Sequence, residues 1–221
     1  MPVELVIVRH GETEWTLSGR HTGVTDLPLT PHGRRQAAAL RPVLEAVLRG
    51  QLPVAYTSPR QRAIRTAELA LPAAPTVVDP RIAEFDYGSY EGLTHDQILQ
   101  LNPTWDIWRD GCPGGESSAD AGARADQCLR DYAAPSRRGP IVLFSHGHFS
   151  RILTARALGL APEAGRIFGT ATAAVSVVGE YRGEPCIELW NASADLASDI
   201  VAAAPAASDP GARGGSLGRQ P

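Results

Sequence analysis

The fold is decided first by residues 5–12, which read LVIVRHGE. The four apolar residues at 5–8 follow one another without alternation, which is typical of a strand buried on both faces, as in a parallel sheet. The polar residues at 9–12 end that strand. A second apolar run at 141–144 reads IVLF and is followed by Ser-His-Gly. We therefore predict two buried strands, each followed closely by a histidine and a glycine.

The rest of the chain alternates helical stretches with short apolar runs. We predict helices at 31–49, 60–70, 94–101, 117–132 (capped by Ser117 or Ser118) and 149–158, and further strands at 54–56, 76–78, 174–178 and 186–189. Pro42 should kink or break the first helix, because proline removes a backbone hydrogen bond. The last two strands indicate a closing antiparallel pair. Together these elements predict an α/β fold, a three-layer sandwich with a mainly parallel central sheet.

Two segments differ from this alternation. Residues 80–116 combine aromatic residues with many glycines and predict a loop-rich cap region over a site. Residues 201–221 consist mostly of small and polar residues, with no aromatic side chain, and cannot bury enough apolar surface to become ordered. We therefore expect one domain at 1–200 and a disordered tail at 201–221.

The chain contains no lysine, since all 21 of its Lys or Arg residues are arginine. A phosphate-binding loop ending in Gly-Lys-Ser/Thr is therefore excluded, as is a lysine Schiff base. Any phosphate must be held by arginine, histidine, hydroxyl groups and backbone N–H groups.

Charge and cysteine usage narrow the partners and the compartment. The net charge of -3 provides no basic field for nucleic acid. Three widely spaced cysteines resemble neither a disulfide framework nor a zinc site, so we expect a reduced, cytoplasmic setting. No apolar stretch reaches about 18 residues and the N-terminus does not resemble a signal peptide, so no membrane association is expected. A homodimer is left open.

Polar side chains follow each predicted strand of the parallel sheet. In chain order they are Arg9 and His10, then Arg60 and Arg62, then Glu84, then His146. Ligands of such sheets bind at the carboxyl ends of strands, so we expect these groups to converge. A single histidine there is more often a hydrogen-bonded surface residue, and it is the joint occurrence that points to a site. Glycine after both histidines would let the backbone approach a bound group closely.

This set of side chains suits phosphoryl transfer. Arginine forks bind tetrahedral oxyanions, and a neutral imidazole is a good nucleophile toward phosphorus. A carboxylic acid can protonate the leaving oxygen and later take a proton from water. In such a set one histidine would be neutral and the other protonated, and the carboxylic acid would be Glu84. We expect no cofactor and no metal, because His146 and His148 have no apparent third ligand.

The motifs together resemble the histidine phosphatase superfamily, with its phosphoglycerate mutase-like fold. The resemblance spans residues 3–190 in consistent order and rests on VRHGET at 8–13 with Trp15, TG at 22–23, LTPHG at 29–33, SPRQRA at 58–63, Glu84 with YG at 87–88 and EG at 91–92, GES at 115–117, and SHG at 145–147.

The resemblance implies a role for each matching residue. It implies that His10 is the phosphorylated nucleophile, that Arg9 and Arg62 bind the phosphate, that His146 contacts the phosphoryl oxygens, and that Glu84 is the acid and base. With these roles we expect His10 neutral, Glu84 protonated and His146 charged during the first step. Arg60 is a rival to Arg62, but the family pattern favours the arginine directly before the alanine. Additional substrate contacts are expected at Thr16, Thr22, Gly23, Tyr87, Arg109, Gly147 and His148.

Departures from the mutase pattern favour hydrolysis. Phe85 stands at the position where the mutases have arginine, and Asp86 adds a negative charge nearby. The lysine that the mutases use to bind substrate has no counterpart in this chain. Residues 108–112, reading WRDGC, are similar to the actinobacterial acid phosphatase branch and to the sedoheptulose bisphosphatase-like group. Arg109 would hold the distal phosphate of a sugar bisphosphate, or else pack on Trp105 or Trp108.

We therefore predict a metal-independent phosphatase that hydrolyses small phosphomonoesters through a phosphohistidine on His10. The alternatives are a bisphosphatase of the sedoheptulose-1,7-bisphosphatase type and, less favoured, a phosphoglycerate mutase or an inactive phospho-ligand binding protein.

Overall fold

The computed structural model of the protein describes residues 4–133 and 139–193. Its strands are β1 Leu5–Arg9, β2 Val54–Thr57, β3 Thr76–Val78, β4 Ile141–Ser145, β5 Val175–Tyr181 and β6 Glu184–Ala192. Its α-helices are α1 Glu14–Leu17, α2 Pro31–Ala39, α3 Arg41–Leu48, α4 Gln61–Ala70, α5 His95–Leu101, α6 Ile107–Asp110, α7 Ser118–Tyr132 and α8 Gly147–Ala157. Short 3-10 helices lie at Pro80–Ile82, Gly88–Tyr90 and Pro162–Ile167.

The strands form one six-stranded sheet in the order β3-β2-β4-β1-β5-β6. The pairs β3–β2, β2–β4 and β4–β1 are parallel, whereas β5 pairs antiparallel with both β1 and β6. In the register of β1 with β4, Arg9 lies opposite Ser145. His10 and His146 therefore leave neighbouring strands at the same edge of the sheet, as the two His-Gly motifs predicted.

Alternation along β1 and β4 divides the core between the two faces of the sheet. Leu5, Ile7 and Leu143 belong to one buried cluster, which α7 and α8 cover with residues such as Ala125 and Ile152. Val6, Val8 and Phe144 belong to a second cluster, which α3 and α4 cover with residues such as Leu44 and Ala67. Because successive side chains of a strand point to opposite faces, the unbroken apolar runs require helices on both sides. The predicted three-layer α/β sandwich is confirmed.

The predicted helix at 31–49 is two helices. Thr30 caps α2, accepting a hydrogen bond from the backbone N–H of Gly33 at 2.9 Å. The break falls at Leu40, so Pro42 occupies the first turn of α3, where a missing N–H costs no hydrogen bond. The helix after β4 begins at Gly147, two residues before its predicted start.

The cap region at 80–116 contains two 3-10 helices, α5, α6 and connecting loops. Helices α1 and α6 were missed because four residues are too few for apolar periodicity to show. Within the cap, Trp105 is buried and its indole N–H donates to the carbonyl of Gly111 at 2.8 Å.

The predicted tail at 201–221 lies outside the described residues, and the domain limits stay predictions. No helix within residues 4–133 and 139–193 has the length and apolar character needed to cross a membrane.

Candidate active site

A cavity of about 190 Å³ opens at the carboxyl edge of the parallel strands. Eight of the predicted site residues line it, namely Arg9, His10, Thr16, Thr22, Glu84, Tyr87, Gly147 and His148. Arg62 and His146 lie behind this lining and are fully buried. The strand ends therefore bring together the catalytic set that the sequence predicted.

The His10 ring is held in an orientation suited to nucleophilic attack. Its Nδ1 lies 2.7 Å from the backbone carbonyl oxygen of Gly11. Since a carbonyl oxygen only accepts, Nδ1 carries the proton and the neutral ring keeps its lone pair on Nε2. Burial, with the nearby charges of Arg62 and Arg9, lowers the pKa of His10 well below 6.5. Both influences keep the imidazole neutral, as a nucleophile requires.

His146 packs edge-on against His10, with ring centroids 5.1 Å apart. Its Nε2 lies 2.7 Å from the hydroxyl oxygen of Ser58, while its buried Nδ1 has no partner among the described residues. Burial, followed by the charge of Arg62, lowers the pKa of His146 well below 6.5. Both influences favour the neutral ring in the protein alone, whereas the prediction of a charged His146 concerns the first step with the phosphate ester bound and stays a prediction. If Ser58 donates to Nε2, the neutral ring still offers an Nδ1–H donor.

Two arginines flank the histidines, of which Arg62 is fully buried and Arg9 is half-buried. Arg62 donates from its terminal nitrogens to the backbone carbonyls of Thr22, Gly23 and Thr25, at 2.9 to 3.2 Å. Arg9 donates to the carbonyl of Thr170 at 2.6 Å. The Nε–H groups of both arginines are buried and lack a partner within the described ranges. Buried unpaired donors are costly, so these two Nε–H groups suit an acceptor such as a phosphoryl oxygen. The Nε–H of Arg60 is likewise buried and without a partner in the described part of the chain, so this feature alone does not distinguish Arg62 from Arg60.

Arg60 does not line the cavity, and it caps α4 without a side-chain hydrogen bond. Its rival Arg62 is fully buried and lies close enough to His10 and His146 to lower the pKa of both. The position of Arg62 thus agrees with the family pattern.

Glu84 is fixed by three backbone N–H groups. One carboxylate oxygen accepts from Phe85 and Phe149, each at 2.9 Å, and the other accepts from His148 at 3.1 Å. Two of these donors lie at the start of α8, directly after His146. The carboxylate after β3 is therefore joined to the loop after β4.

The glycine after His10 has a different role from the one expected, whereas the glycine after His146 lines the cavity. A Cβ on Gly11 would lie 2.4 Å from the carbonyl oxygen of Gly33, so this glycine lets the end of β1 approach α2. A Cβ on Gly147 would contact the Arg9 guanidinium at 3.4 Å. Gly11 therefore serves backbone packing, whereas a Cβ at Gly147 would make only an ordinary van der Waals contact with Arg9.

Two predicted substrate contacts lie outside the cavity lining. Gly23 instead donates its N–H to the carboxylate of Glu91 and accepts from Arg62. Arg109 is exposed and pairs with Asp110 at 2.6 Å. Arg151 rather than Arg109 stacks on Trp108, with its guanidinium carbon 4.4 Å from the ring centroid. The position of Arg109 therefore gives no support to its predicted role.

Five cavity residues were not predicted, namely Gly19, Arg20, His21, Arg151 and Thr170. One of them carried a usable signal. Arg151 lies four residues after Gly147 on α8, so helical spacing places both on one face.

Phe85 is buried beside the cavity. Its ring centroid lies 5.8 Å from that of Tyr87 and 6.4 Å from that of His148. The Tyr87 hydroxyl lies 2.7 Å from Nδ1 of His148. An apolar ring thus occupies the position directly after Glu84. Within residues 4–133 and 139–193, no group of three or more His, Cys, Asp or Glu side chains is arranged to hold a metal ion.

The comparison with known families agrees with this geometry. A model described as histidine phosphatase superfamily (branch 1) matches residues 5–193. A solved structure of an open reading frame product from Mycobacterium tuberculosis superposes with a TM-score of 0.82 at 37% identity, covering 88% of this chain and 100% of that one.

Curated relatives include phosphatases and mutases. An acid phosphatase of Mycobacterium tuberculosis is 40% identical, over 81% of this chain and 87% of that protein. A sedoheptulose 1,7-bisphosphatase of Saccharomyces cerevisiae is 36% identical, over 70% of this chain and 67% of that protein. A 2,3-bisphosphoglycerate-dependent phosphoglycerate mutase of Brucella melitensis is 35% identical, over 72% and 83% respectively.

Proposed function

The chain belongs to branch 1 of the histidine phosphatase superfamily, has its phosphoglycerate mutase-like fold and is a phosphatase; from this premise we propose that it hydrolyses small phosphomonoesters through a phosphohistidine on His10. The observation that carries the proposal is the hydrogen bond from Nδ1 of His10 to Gly11, in a ring that lines the cavity. It frees Nε2 for attack on phosphorus.

In the first step Nε2 of His10 attacks the phosphorus, and the bond from phosphorus to the leaving oxygen breaks. Glu84, as the acid, gives its proton to that oxygen. The Nε–H donors of Arg9 and Arg62 bind the equatorial phosphoryl oxygens, where charge is spread in the transition state. The Nδ1–H of His146 is the further donor.

In the second step water attacks the phosphohistidine. The Glu84 carboxylate accepts a proton from that water while the bond from phosphorus to Nε2 breaks. Inorganic phosphate leaves, and His10 and the acid form of Glu84 are restored. No group other than these side chains and water is needed to balance the two steps.

Hydrolysis is favoured over the mutase reaction. A mutase must also bind the carboxylate of a phosphoglycerate, and the position after Glu84 holds the buried ring of Phe85. An apolar ring supplies no hydrogen bond to a carboxylate and disfavours a charge beside it. Water rather than a second substrate is therefore the proposed acceptor of the phosphoryl group.

The test is an assay with para-nitrophenyl phosphate, with and without EDTA, across about pH 4 to 9. His10 must be neutral to attack, and its pKa lies well below 6.5. As the pH is lowered, kcat/KM should therefore be retained through pH 6.5 and should be lost only at lower pH. A steady rise above about pH 8 would contradict the roles assigned. No turnover under any condition would favour a phospho-ligand binding protein. Turnover that is lost only when EDTA is present would indicate a metal-dependent enzyme.

A bisphosphate is the second candidate substrate, because the cavity holds more cationic groups than one phosphoryl group requires. Arg20 and Arg151 line it beyond Arg9, and Glu84 is the only carboxylate among the described lining residues. Arg151 is oriented by hydrogen bonds to the carbonyls of Gly165 and Arg166, at 3.0 and 2.8 Å. An oriented guanidinium is suited to a second anionic group of the substrate.

Arg151→Met should discriminate between the two substrate classes. We expect kcat/KM for a sugar bisphosphate to fall about 10-fold to 100-fold, the value of one charged hydrogen bond, with little change for para-nitrophenyl phosphate. Arg166→Met is the matched control, since Arg166 is exposed and does not line the cavity. Equal losses on both substrates would rule out a distal subsite at Arg151.

A small phosphate ester is thus the proposed partner. The homodimer, the absence of nucleic-acid binding and the cytoplasmic location stay predictions.

A further inference from the structure

We propose that Arg124 and Glu116 form a positioning pair that sets the orientation of Glu84, an inference that rests on the acid/base role proposed above. Neither residue lines the cavity. The sequence singled out Glu116 only as part of the motif at 115–117, and the proposed reaction assigns it no task.

The two side chains form a bidentate ion pair next to the acid loop, which we define as residues 81–86 around Glu84. Arg124 donates from Nε and Nη2 to the two carboxylate oxygens of Glu116, at 2.9 and 2.8 Å. The side chains are only 18% and 21% exposed. Two parallel hydrogen bonds and low solvent exposure hold the two side chains in one orientation, unlike the side chains of a flexible surface ion pair.

This pair holds the backbone on both sides of Glu84. Arg124 donates from Nη1 to the carbonyls of Arg81 and Ala83, at 2.6 and 2.8 Å, and from Nη2 to that of Glu84 at 3.4 Å. On the other side, Glu116 accepts from the N–H of Asp86 at 3.0 Å. The chain is thereby fixed immediately before and after the acid.

Arg124 also supports the group that holds the Glu84 carboxylate. Its guanidinium carbon lies 4.2 Å from the centroid of the Phe149 ring. The N–H of Phe149 in turn donates to Oε1 of Glu84 at 2.9 Å. One arginine therefore contacts both the backbone and the anchoring residue of the acid. A displacement of about 1 Å at a reacting group can cost about 100-fold in rate. Loss of the bidentate Arg124 contact should therefore lower the rate of the chemical step.

The chain supplies a matched control in a second bidentate pair, which joins α7 to α8. Arg156 of α8 donates to both carboxylate oxygens of Asp126 of α7, at 2.8 and 3.0 Å, with exposures of 29% and 31%. Arg156 also donates to the carbonyl of Leu160, at 2.8 Å. Replacing Arg156 removes a bidentate ion pair of similar geometry that makes no contact with the acid loop.

The test compares leaving groups, because an alkoxide needs a proton from the acid whereas dinitrophenolate does not. For Arg124→Met we expect kcat/KM on an alkyl phosphate to fall about 10-fold to 100-fold, and on 2,4-dinitrophenyl phosphate by less than about threefold. Arg124→Lys should show the same selectivity with a smaller loss, since lysine keeps the charge but not the fork. Arg156→Met should show no selectivity.

Equal losses on both esters, or wild-type rates in either Arg124 variant, would overturn the inference. If Arg124→Met does not fold, the selectivity of Arg124→Lys decides. Glu84→Gln in the same series separates the two claims. Without leaving-group selectivity in Glu84→Gln, the acid assignment itself fails. With selectivity in Glu84→Gln but not in the Arg124 variants, only the positioning inference fails.

Discussion

Replacing His10 with Ala should lower kcat for phosphomonoester hydrolysis by at least about 10⁴-fold, because removing a covalent nucleophile removes both chemical steps. The variant keeps the backbone contacts of this position, in which the His10 N–H donates to Ser145 and its carbonyl accepts from Ala173, both at 3.0 Å. Steady-state rates with para-nitrophenyl phosphate, together with the thermal unfolding midpoint, measure the effect on activity separately from the effect on folding.

His32→Ala is the matched control for this loss. His32 is an exposed histidine on α2, and it does not line the cavity. Its replacement should leave kcat within about twofold, since surface substitutions rarely disturb the structure. Activity in His10→Ala above about 1% of the wild-type value would refute the nucleophile assignment.

Glu84→Gln should lower kcat/KM for alkyl phosphates by about 100-fold to 10⁴-fold, the usual contribution of a positioned acid. Glutamine has nearly the shape of glutamate and keeps one oxygen to accept from Phe85 and Phe149. It has no proton to give at the pH of the assay. The loss on 2,4-dinitrophenyl phosphate should be much smaller, because that leaving group departs as an anion.

Glu91→Gln provides the comparison for Glu84→Gln. Glu91 also accepts backbone N–H groups with both oxygens, from Gly23 and Thr25 at 2.9 to 3.0 Å, but it does not line the cavity. Any loss in Glu91→Gln should be the same for both esters. A Glu84→Gln variant that loses equally on both esters would show that Glu84 does not protonate the leaving group.

The strand ends were the most predictable part of this protein. Two unbroken apolar runs require burial on both faces, and burial on both faces in turn requires helices on either side. That constraint predicted the mainly parallel sheet and the convergence of His10 and His146 at one of its edges, whereas the adjacency of β1 and β4 comes from the structure. Glu84 was different, since a carboxylate several residues beyond a strand carries no spacing signal. Its role came from the resemblance to a family.

The details of the cavity depended on packing that no local pattern encodes. Arg109 lies in an aromatic stretch that suggested a ligand contact, yet α6 presents its side chain to solvent beside Asp110. Arg151 lines the cavity from α8 and stacks on Trp108 of α6, a contact between two helices that local sequence does not predict. The lowered pKa of His146 comes from complete burial next to Arg62, which a sequence does not show.

The central claim is the phosphohistidine on His10, and the Glu84→Gln variant makes it directly measurable. With 2,4-dinitrophenyl phosphate the first step needs no acid, while the second lacks its base, so the intermediate should accumulate. Intact-mass spectrometry should find one phosphoryl group per chain, labile to acid, stable to alkali and mapped to His10. The group should be absent when His10→Ala is added. A phosphoryl group on any other residue, or continued turnover by a chain that never carries one, would contradict the account.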